Sequence, residues 1–236
     1  MKTITFKESA YPKPHQLEEF IWSGRLDKDG KLWFDLHLKS KDYYLSEGED
    51  YPEDDDFEDD GDYSSTGNWK ATIVWDNYHS CILSSKYWSE EKGILLSNGD
   101  ELFDFDKLGN RLFTLDPLPE AKEREDEDTS FNIYLLGHDT CVNHKIQFTI
   151  QKEQLYHIQW TGIIALTYGG FSEFIHEFEV DASEVSFEGF SYPQEWNQEE
   201  ALQHFKKVLK NIESFHFVDL NPKSFKREYK LMLKEI

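Results

Sequence analysis

Apolar and polar residues alternate along most of the chain, and this period-two pattern predicts β-strands with one buried face. The clearest stretches are residues 32–38, 69–75, 145–151, 155–160 and 174–180. The segment before residue 32 contains Asp29-Gly30, a strong signal for a hairpin turn. Because these stretches alternate instead of forming continuous apolar runs, we predict antiparallel strands.

The hydrophobic pattern changes to a helical period near the C-terminus. Asn197, with Glu200 three positions later, resembles a capping box, and apolar residues then follow at helical spacing as far as Phe215. Asn221-Pro222 predicts the start of a second helix, because proline is favoured at the first helical position. The predicted fold class is therefore α+β, with mainly antiparallel sheet followed by two C-terminal helices.

An acidic, loop-like segment at residues 116–130 separates two strand-rich parts of the chain. We predict a β-rich N-terminal subdomain over residues 1–120, which contains an acidic loop at 46–67. A second part over residues 130–236 holds further antiparallel strands and the two helices. The alternative is a single domain whose sheet passes across this boundary.

Composition indicates a folded protein with a strongly acidic surface. Aromatic residues make up 16% of the 236 residues, which is too many for a disordered chain. The formal net charge is −22, and residues 47–62 alone contain eleven acidic side chains and no basic one. Phosphate binding needs clustered Lys and Arg, so nucleic acid and anionic membranes are not the expected partners. This balance favours a basic protein as the partner.

Other features of the sequence favour a cytoplasmic protein. Two cysteines, Cys81 and Cys141, are fewer than a secreted disulfide scaffold of this size normally has. The first residues lack the apolar core of a signal peptide, and the weakly polar run 160–171 is too short to span a bilayer. We expect a protein that is a monomer on its own.

Histidines and cysteines form two small groups that could bind zinc. One group is His79 and Cys81, and the other is His138, Cys141 and His144. Neither matches a CxxC knuckle or an HExxH helix, and free cysteine is commonly buried as a small apolar group. The metal site is therefore the weaker alternative, and we expect no metal and no cofactor.

The acidic stretch 47–62 is the candidate partner-binding segment. Aromatic residues are spaced through its acids, and such rings give a charged segment something to bury when it docks. The predicted contact residues are Tyr51, Asp54, Asp55, Asp56, Phe57, Glu58, Asp59 and Asp60. The alternative is a solvated loop that makes no contact.

In these features the chain resembles the immunity proteins of bacterial polymorphic and contact-dependent toxin systems, which are acidic, aromatic-rich and α+β. Residues 68–85 and 158–190 are similar in character to those of small bacterial proteins. The resemblance implies a non-enzymatic inhibitor that binds a basic toxin domain and blocks its active site. The alternatives are a cytoplasmic hydrolase or transferase with an acidic or histidine site, and an acidic nucleic-acid mimic or chaperone-type protein.

Neutralising the acidic stretch tests its predicted role. Six substitutions to Asn or Gln, at Asp54, Asp55, Asp56, Glu58, Asp59 and Asp60, should leave the fold intact and slow association with the partner. The salt dependence of association should weaken as well. Replacing Tyr51 or Phe57 by Ala should instead speed dissociation. Unchanged rates and an unchanged salt slope would mean that the stretch is solvated and the contact lies elsewhere.

Overall fold

The computed structural model describes residues 1–43, 69–70, 75, 79–85, 92–118, 129–225 and 228–234. Within these residues there are thirteen strands in one sheet and one α-helix with both ends described. The strands are β1 (Lys2–Phe6), β2 (His15–Leu26), β3 (Leu32–Ser40), β4 (Ile82–Ser84), β5 (Ile94–Ser97), β6 (Arg111–Leu115), β7 (Asn132–Tyr134), β8 (His138–Lys152), β9 (Leu155–Ala165), β10 (His176–Ser186), β11 (Phe190–Ser191), β12 (Phe215–Asp219) and β13 (Tyr229–Leu233). The helix α1 is Gln198–Phe205, and no helix of the described part has the length and apolar character to cross a bilayer.

Eight of the described strands close into an antiparallel barrel. Their order is β2-β1-β10-β9-β8-β7-β4-β3, and β3 then pairs with β2, where Trp22 lies opposite Leu36. Strands from residues 1–120 and from residues 130–236 thus belong to the same sheet. The interior of an eight-stranded barrel is just wide enough to be filled by side chains.

The two ends of the barrel wall differ. At one end, which we call the closed end, β4 pairs with both β3 and β7, and β7 pairs with β8. At the other, the open end, β3 pairs with β5 and β8 pairs with β6, but no pairing joins β5 to β6 in the described chain. The buried side chains of Phe103, Phe105 and Leu108 come from the connection between β5 and β6. They provide apolar packing where the backbone ladder is incomplete.

Aromatic side chains fill the barrel in three successive clusters. The open-end cluster consists of Trp22, Phe34, Phe105, Phe148 and Phe187, the middle cluster of Phe131, His144, Trp160 and Phe178, and the closed-end cluster of Phe6, Tyr11, His15, Tyr43, Trp69, Trp75 and His176. The ring centroid of Trp22 lies 5.0 Å from that of Phe148 and 4.9 Å from that of Phe187. Ring contacts at this distance stabilise the fold beyond the contribution from burying the rings.

Most strands predicted from alternation are confirmed. The Asp29-Gly30 turn joins β2 to β3, with Gly30 at a φ of +80° and Leu26 paired with Leu32. The predicted strands at 145–151, 155–160 and 174–180 correspond to β8, β9 and β10, although β10 begins only at His176.

The predicted strand at 69–75 is wrong for the residues that the structure describes there. Trp69, Lys70 and Trp75 are helical, and residues 71–74 lie outside the described part. The ring centroids of Trp69 and Trp75 are 5.0 Å apart, whereas their Cα atoms would be roughly 20 Å apart in a strand. Both rings enter the closed-end cluster, and an extended segment would not let them meet.

The predicted α+β class with two C-terminal helices is also wrong, because the fold is mostly β. Helix α1 begins as predicted, and the Asn197 side chain accepts a hydrogen bond of 2.9 Å from the Glu200 amide. It ends at Phe205, however, and the segments predicted to be helical beyond it contain β12 and β13.

Backbone pairing with distant segments overrides the helical pattern in this region. The Phe103 amide donates to the Val208 carbonyl at 2.7 Å, and the Lys210 amide donates to the Phe103 carbonyl at 2.8 Å. Phe215 and Leu231 are then buried as members of β12 and β13. Asn221-Pro222 lies in the turn between these strands, where the Asn221 amide donates to an Asp219 carboxylate oxygen at 3.0 Å.

The C-terminal strands extend the sheet beyond β2. Strand β11 runs parallel to β2, and Phe190 lies opposite Gly24. A Cβ atom on Gly24 would lie 2.3 Å from Cδ1 of Phe190 and 2.9 Å from the Trp33 carbonyl oxygen. The approach of β11 to the barrel therefore depends on the absence of a side chain at residue 24.

Replacing Gly24 by Ala should lower the free energy of unfolding by about 1–3 kcal/mol, because the added methyl group overpacks this contact. Urea unfolding measures the change. Gly169→Ala is the matched control, since its Cβ would meet only the Phe171 side chain at 3.3 Å. That control should change stability by no more than about 0.5 kcal/mol. Equal unfolding midpoints for both variants would contradict the close approach.

Candidate functional site

The predicted partner-binding residues lie outside the described part of the chain, as does the whole stretch 47–62. The described residues that flank it are Tyr43 on one side and Trp69 on the other, and both are buried. Their ring centroids lie 6.2 Å and 6.1 Å from that of Phe6. The chain therefore leaves the closed-end cluster before the acidic stretch and returns to the same cluster after it.

Trp69 is held by both its backbone and its ring. The indole N–H donates to the Lys7 carbonyl at 3.0 Å, and the Trp69 carbonyl accepts from the Ala10 amide at 3.2 Å. The ring stacks on His176 at 4.2 Å, with an angle of 15° between the planes. These contacts join Trp69 to the chain just after β1 and to β10.

Tyr43 fixes the other side. Its amide donates to the His79 carbonyl at 2.7 Å, and its ring lies 5.3 Å from Trp75 and 5.1 Å from His15. Burial raises the pKa of the Tyr43 hydroxyl, so this group stays neutral. Both anchors of the acidic stretch are thus uncharged aromatic side chains in a packed environment.

Described charges on the outer surface near the closed end form ion pairs. Lys7 Nζ lies 3.2 Å from Glu177 and 3.9 Å from Glu179, and Lys39 Nζ lies 2.9 Å from Glu18. These pairs are exposed and contribute little to stability. The eleven acids of the stretch 47–62, which has no basic residue, are therefore the main source of negative charge connected to this end.

The five residues of the alternative metal site are dispersed by the fold. His79 and His138 are exposed, whereas the other three are fully buried. Cys141 and His144 lie within β8, while Cys81 precedes β4. Across the described ranges, no group of three or more His, Cys, Asp or Glu side chains has the geometry to hold a metal ion.

Both thiols are protected from ionisation. Burial raises the pKa of Cys81 to about 11, and it raises the pKa of Cys141 well above its ordinary value, with a further contribution from the Asp116 carboxylate. The Cys141 thiol donates to the Phe131 carbonyl at 3.3 Å. A nucleophilic cysteine needs a lowered pKa and access to substrate, and these cysteines have neither.

His144 is the central polar group of the middle cluster, a role that the sequence pattern did not reveal. Trp160 donates its indole N–H to Nδ1 at 3.1 Å, so the ring proton is on Nε2, which donates to the Cys141 carbonyl at 3.2 Å. The Asp116 carboxylate lies 3.9 Å from Nε2. Burial lowers the pKa of His144 to about 4, although Asp116 opposes the shift. The ring is therefore a neutral structural link between β8 and β9.

A partly buried ion pair occupies the barrel wall towards the open end. Arg25 donates to the Asp35 carboxylate and, at 2.6 Å, to the Lys92 carbonyl. The Ser85 hydroxyl donates to the same Asp35 oxygen at 2.8 Å. Because Asp35 receives charge-assisted and neutral hydrogen bonds from two other segments, it ties these segments together and does not need an external cation.

No protein-family model matches the chain, and searches of the curated proteins and of the solved structures gave no match either. The class that the structure defines is a protein with an eight-stranded antiparallel barrel, extra strands beside it, and an acidic stretch tethered at the closed end.

The buried histidines predict that stability falls as the solution becomes acidic. Burial lowers the pKa of both His144 and His176 from 6.5 to about 4. Above pH 6.5 each ring is neutral in both the folded and the unfolded chain, so its full contribution to the free energy of unfolding is present. Between pH 6.5 and about 4 only the unfolded chain gains the proton, so the free energy of unfolding decreases, by up to about 1.4 kcal/mol per pH unit for each histidine.

His176→Phe isolates one of these contributions, because Phe preserves an aromatic ring beside Trp69 but cannot titrate. Urea unfolding at several pH values between 4 and 7 gives the free energy of unfolding as a function of pH. This free energy should change less steeply with pH in the variant than in the unmodified chain. Identical slopes would show that His176 is protonated with its ordinary pKa in the folded protein.

Proposed function

We propose that this chain is an immunity-type inhibitor that binds a basic toxin domain in the cytoplasm and blocks its active site. The observation that carries the proposal is the acidic stretch 47–62, whose two flanking residues, Tyr43 and Trp69, are both packed in the closed-end cluster. The chain thus enters and leaves this charged segment at the same packed cluster of the barrel.

Charge complementarity would act mainly on the rate of encounter. The net charge of −22 attracts a basic domain over distances comparable with the Debye length, which is about 8 Å at physiological salt. Complementary charge also selects among partners, because proteins with acidic surfaces are repelled. In this proposal the chain takes the place of an anionic substrate in the groove of the toxin.

Affinity would come from groups that lose contact with water on binding. Tyr51 and Phe57 lie among the acids of the stretch and are natural anchors, since aromatic residues dominate the energetics of interfaces. Acids at the rim of the interface would raise the association rate and the specificity, while buried rings would set the rate of dissociation.

The enzyme alternative is less well supported by the described residues. His144 and Cys141 combine the side-chain types of a nucleophile and its base, yet both are fully buried and hydrogen bonded within the barrel. The arrangement of these two residues supports a role in packing. The proposal therefore places the function on the surface connected to the closed end.

Co-expression tests the proposed function. A toxin domain encoded by the neighbouring gene should stop growth of a bacterial host, and this chain should restore growth and form a stable complex with that domain in solution. Failure to protect, together with failure to bind the purified domain, would reject the immunity function.

A charge-matched pair of variants tests whether the acidic stretch makes the contact. The first carries the six substitutions at Asp54, Asp55, Asp56, Glu58, Asp59 and Asp60. The second neutralises the six acids of the other acidic segment, Glu120, Glu123, Glu125, Asp126, Glu127 and Asp128. Both variants change the net charge equally. If 47–62 makes the contact, the first variant should associate with the partner at least about tenfold more slowly than the second at low salt. Equal slowing would mean that only total charge matters.

A further inference from the structure

A groove of about 840 Å³ lies near the open end, apart from the cluster that anchors the acidic stretch. It forms where β11 and β13 separate. Phe190 pairs with Leu231, but beyond this pair the chain after Ser191 turns towards α1, and the two strands no longer run side by side. The space between them is bordered by residues of the segment 191–199 on one side and by Asn221, Ser224 and residues 228–230 on the other.

The lining of this groove is unusual in composition. None of the twelve described residues that line it is aliphatic. Three are aromatic (Tyr192, Trp196 and Tyr229), and most of the others have amide or hydroxyl side chains. Pockets for apolar ligands are lined mainly by hydrophobic side chains. This groove instead offers aromatic faces together with many hydrogen-bond donors and acceptors.

Two of the aromatic rings are held in place before any ligand arrives. The Trp196 ring stacks on His204 of α1 at 4.2 Å, with 11° between the planes. The Tyr192 ring packs in a T-shaped arrangement against Phe205 and Phe217, with ring centroids 6.4 Å and 5.7 Å apart. Side chains that are already ordered lose little conformational entropy on binding, which favours a genuine binding surface.

Among the described residues that line the groove, the charge is nearly balanced, in contrast to the chain as a whole. Glu199 and Glu228 contribute two carboxylates, and Lys230 contributes one ammonium group. Lys230 Nζ also lies 3.9 Å from the Glu188 carboxylate. The first turn of α1 adds a partial positive charge that its own glutamates offset. Such a balance selects neither a strongly cationic nor a strongly anionic ligand.

We propose that this groove binds a short neutral oligosaccharide. The C–H face of a sugar ring would pack on the face of Trp196 opposite His204, beside the lining rings of Tyr192 and Tyr229. Its hydroxyl groups would exchange hydrogen bonds with amides such as Gln194 and Asn221, which can both donate and accept. The volume lies within the range of small-ligand sites. This binding activity is independent of the proposed toxin inhibition.

Saturation-transfer NMR on the full chain tests the proposal, with maltose, cellobiose and diacetylchitobiose as probes at millimolar concentration. At least one sugar should give a saturable signal. Trp196→Ala should weaken its binding at least tenfold, and Tyr168→Ala, at an exposed tyrosine outside the groove, should leave it unchanged.

Because Trp196 also packs on α1, a second variant separates binding from folding. Gln194 is exposed, so Gln194→Ala should preserve the fold. It should lower the affinity for the same sugar by roughly twofold to tenfold. The proposal is overturned if none of the three sugars binds. It is also overturned if binding survives both groove variants, or if an arginine-containing peptide occupies the groove and the sugars do not.

Discussion

Filling the barrel interior is the constraint on which the rest of this structure depends. Eight closed strands enclose a space that side chains must occupy fully, because voids cost packing energy. Aromatic rings do this in three clusters, and the largest fully buried side chains include Trp22, Trp69, Trp75 and Trp160. The high aromatic content of the sequence is therefore explained by the volume to be filled.

This packing also decides where chemistry can occur. His144, inside the barrel, is hydrogen bonded to Trp160 and to the Cys141 carbonyl, and Asp35, in the barrel wall, is bonded to Arg25 and Ser85. Burial of these groups without partners would destabilise the fold. Binding surfaces are consequently expected on the outside, where we place one proposed site at the closed end and another in the groove near the open end.

The incomplete wall at the open end explains the arrangement of the C-terminal region. Phe103 lies in the connection that packs where β5 and β6 do not pair with each other in the described chain, and its backbone bonds to Val208 and Lys210. These bonds draw the chain after α1 onto the barrel, after which β12 and β13 extend the sheet through β11. The groove between β11 and β13 is thus a consequence of how the C-terminus completes the open end.

Local pattern was sufficient for the elements whose partners are close in sequence. The β2–β3 and β8–β9 hairpins and the Asn197 cap of α1 follow from alternation, turn residues and capping, which act over a few residues. Long-range contacts decided the rest. The rings of the helical residues Trp69 and Trp75 meet in the closed-end cluster, and β12 and β13 follow a shortened α1 in place of a second helix. Trp160 fixes His144 across β8 and β9. The charge of the acidic stretch could be read from composition, but the packing of its flanking residues Tyr43 and Trp69 beside Phe6 could not. Burial and backbone pairing between residues far apart in the chain exceed local propensity, so only the tertiary structure reveals them.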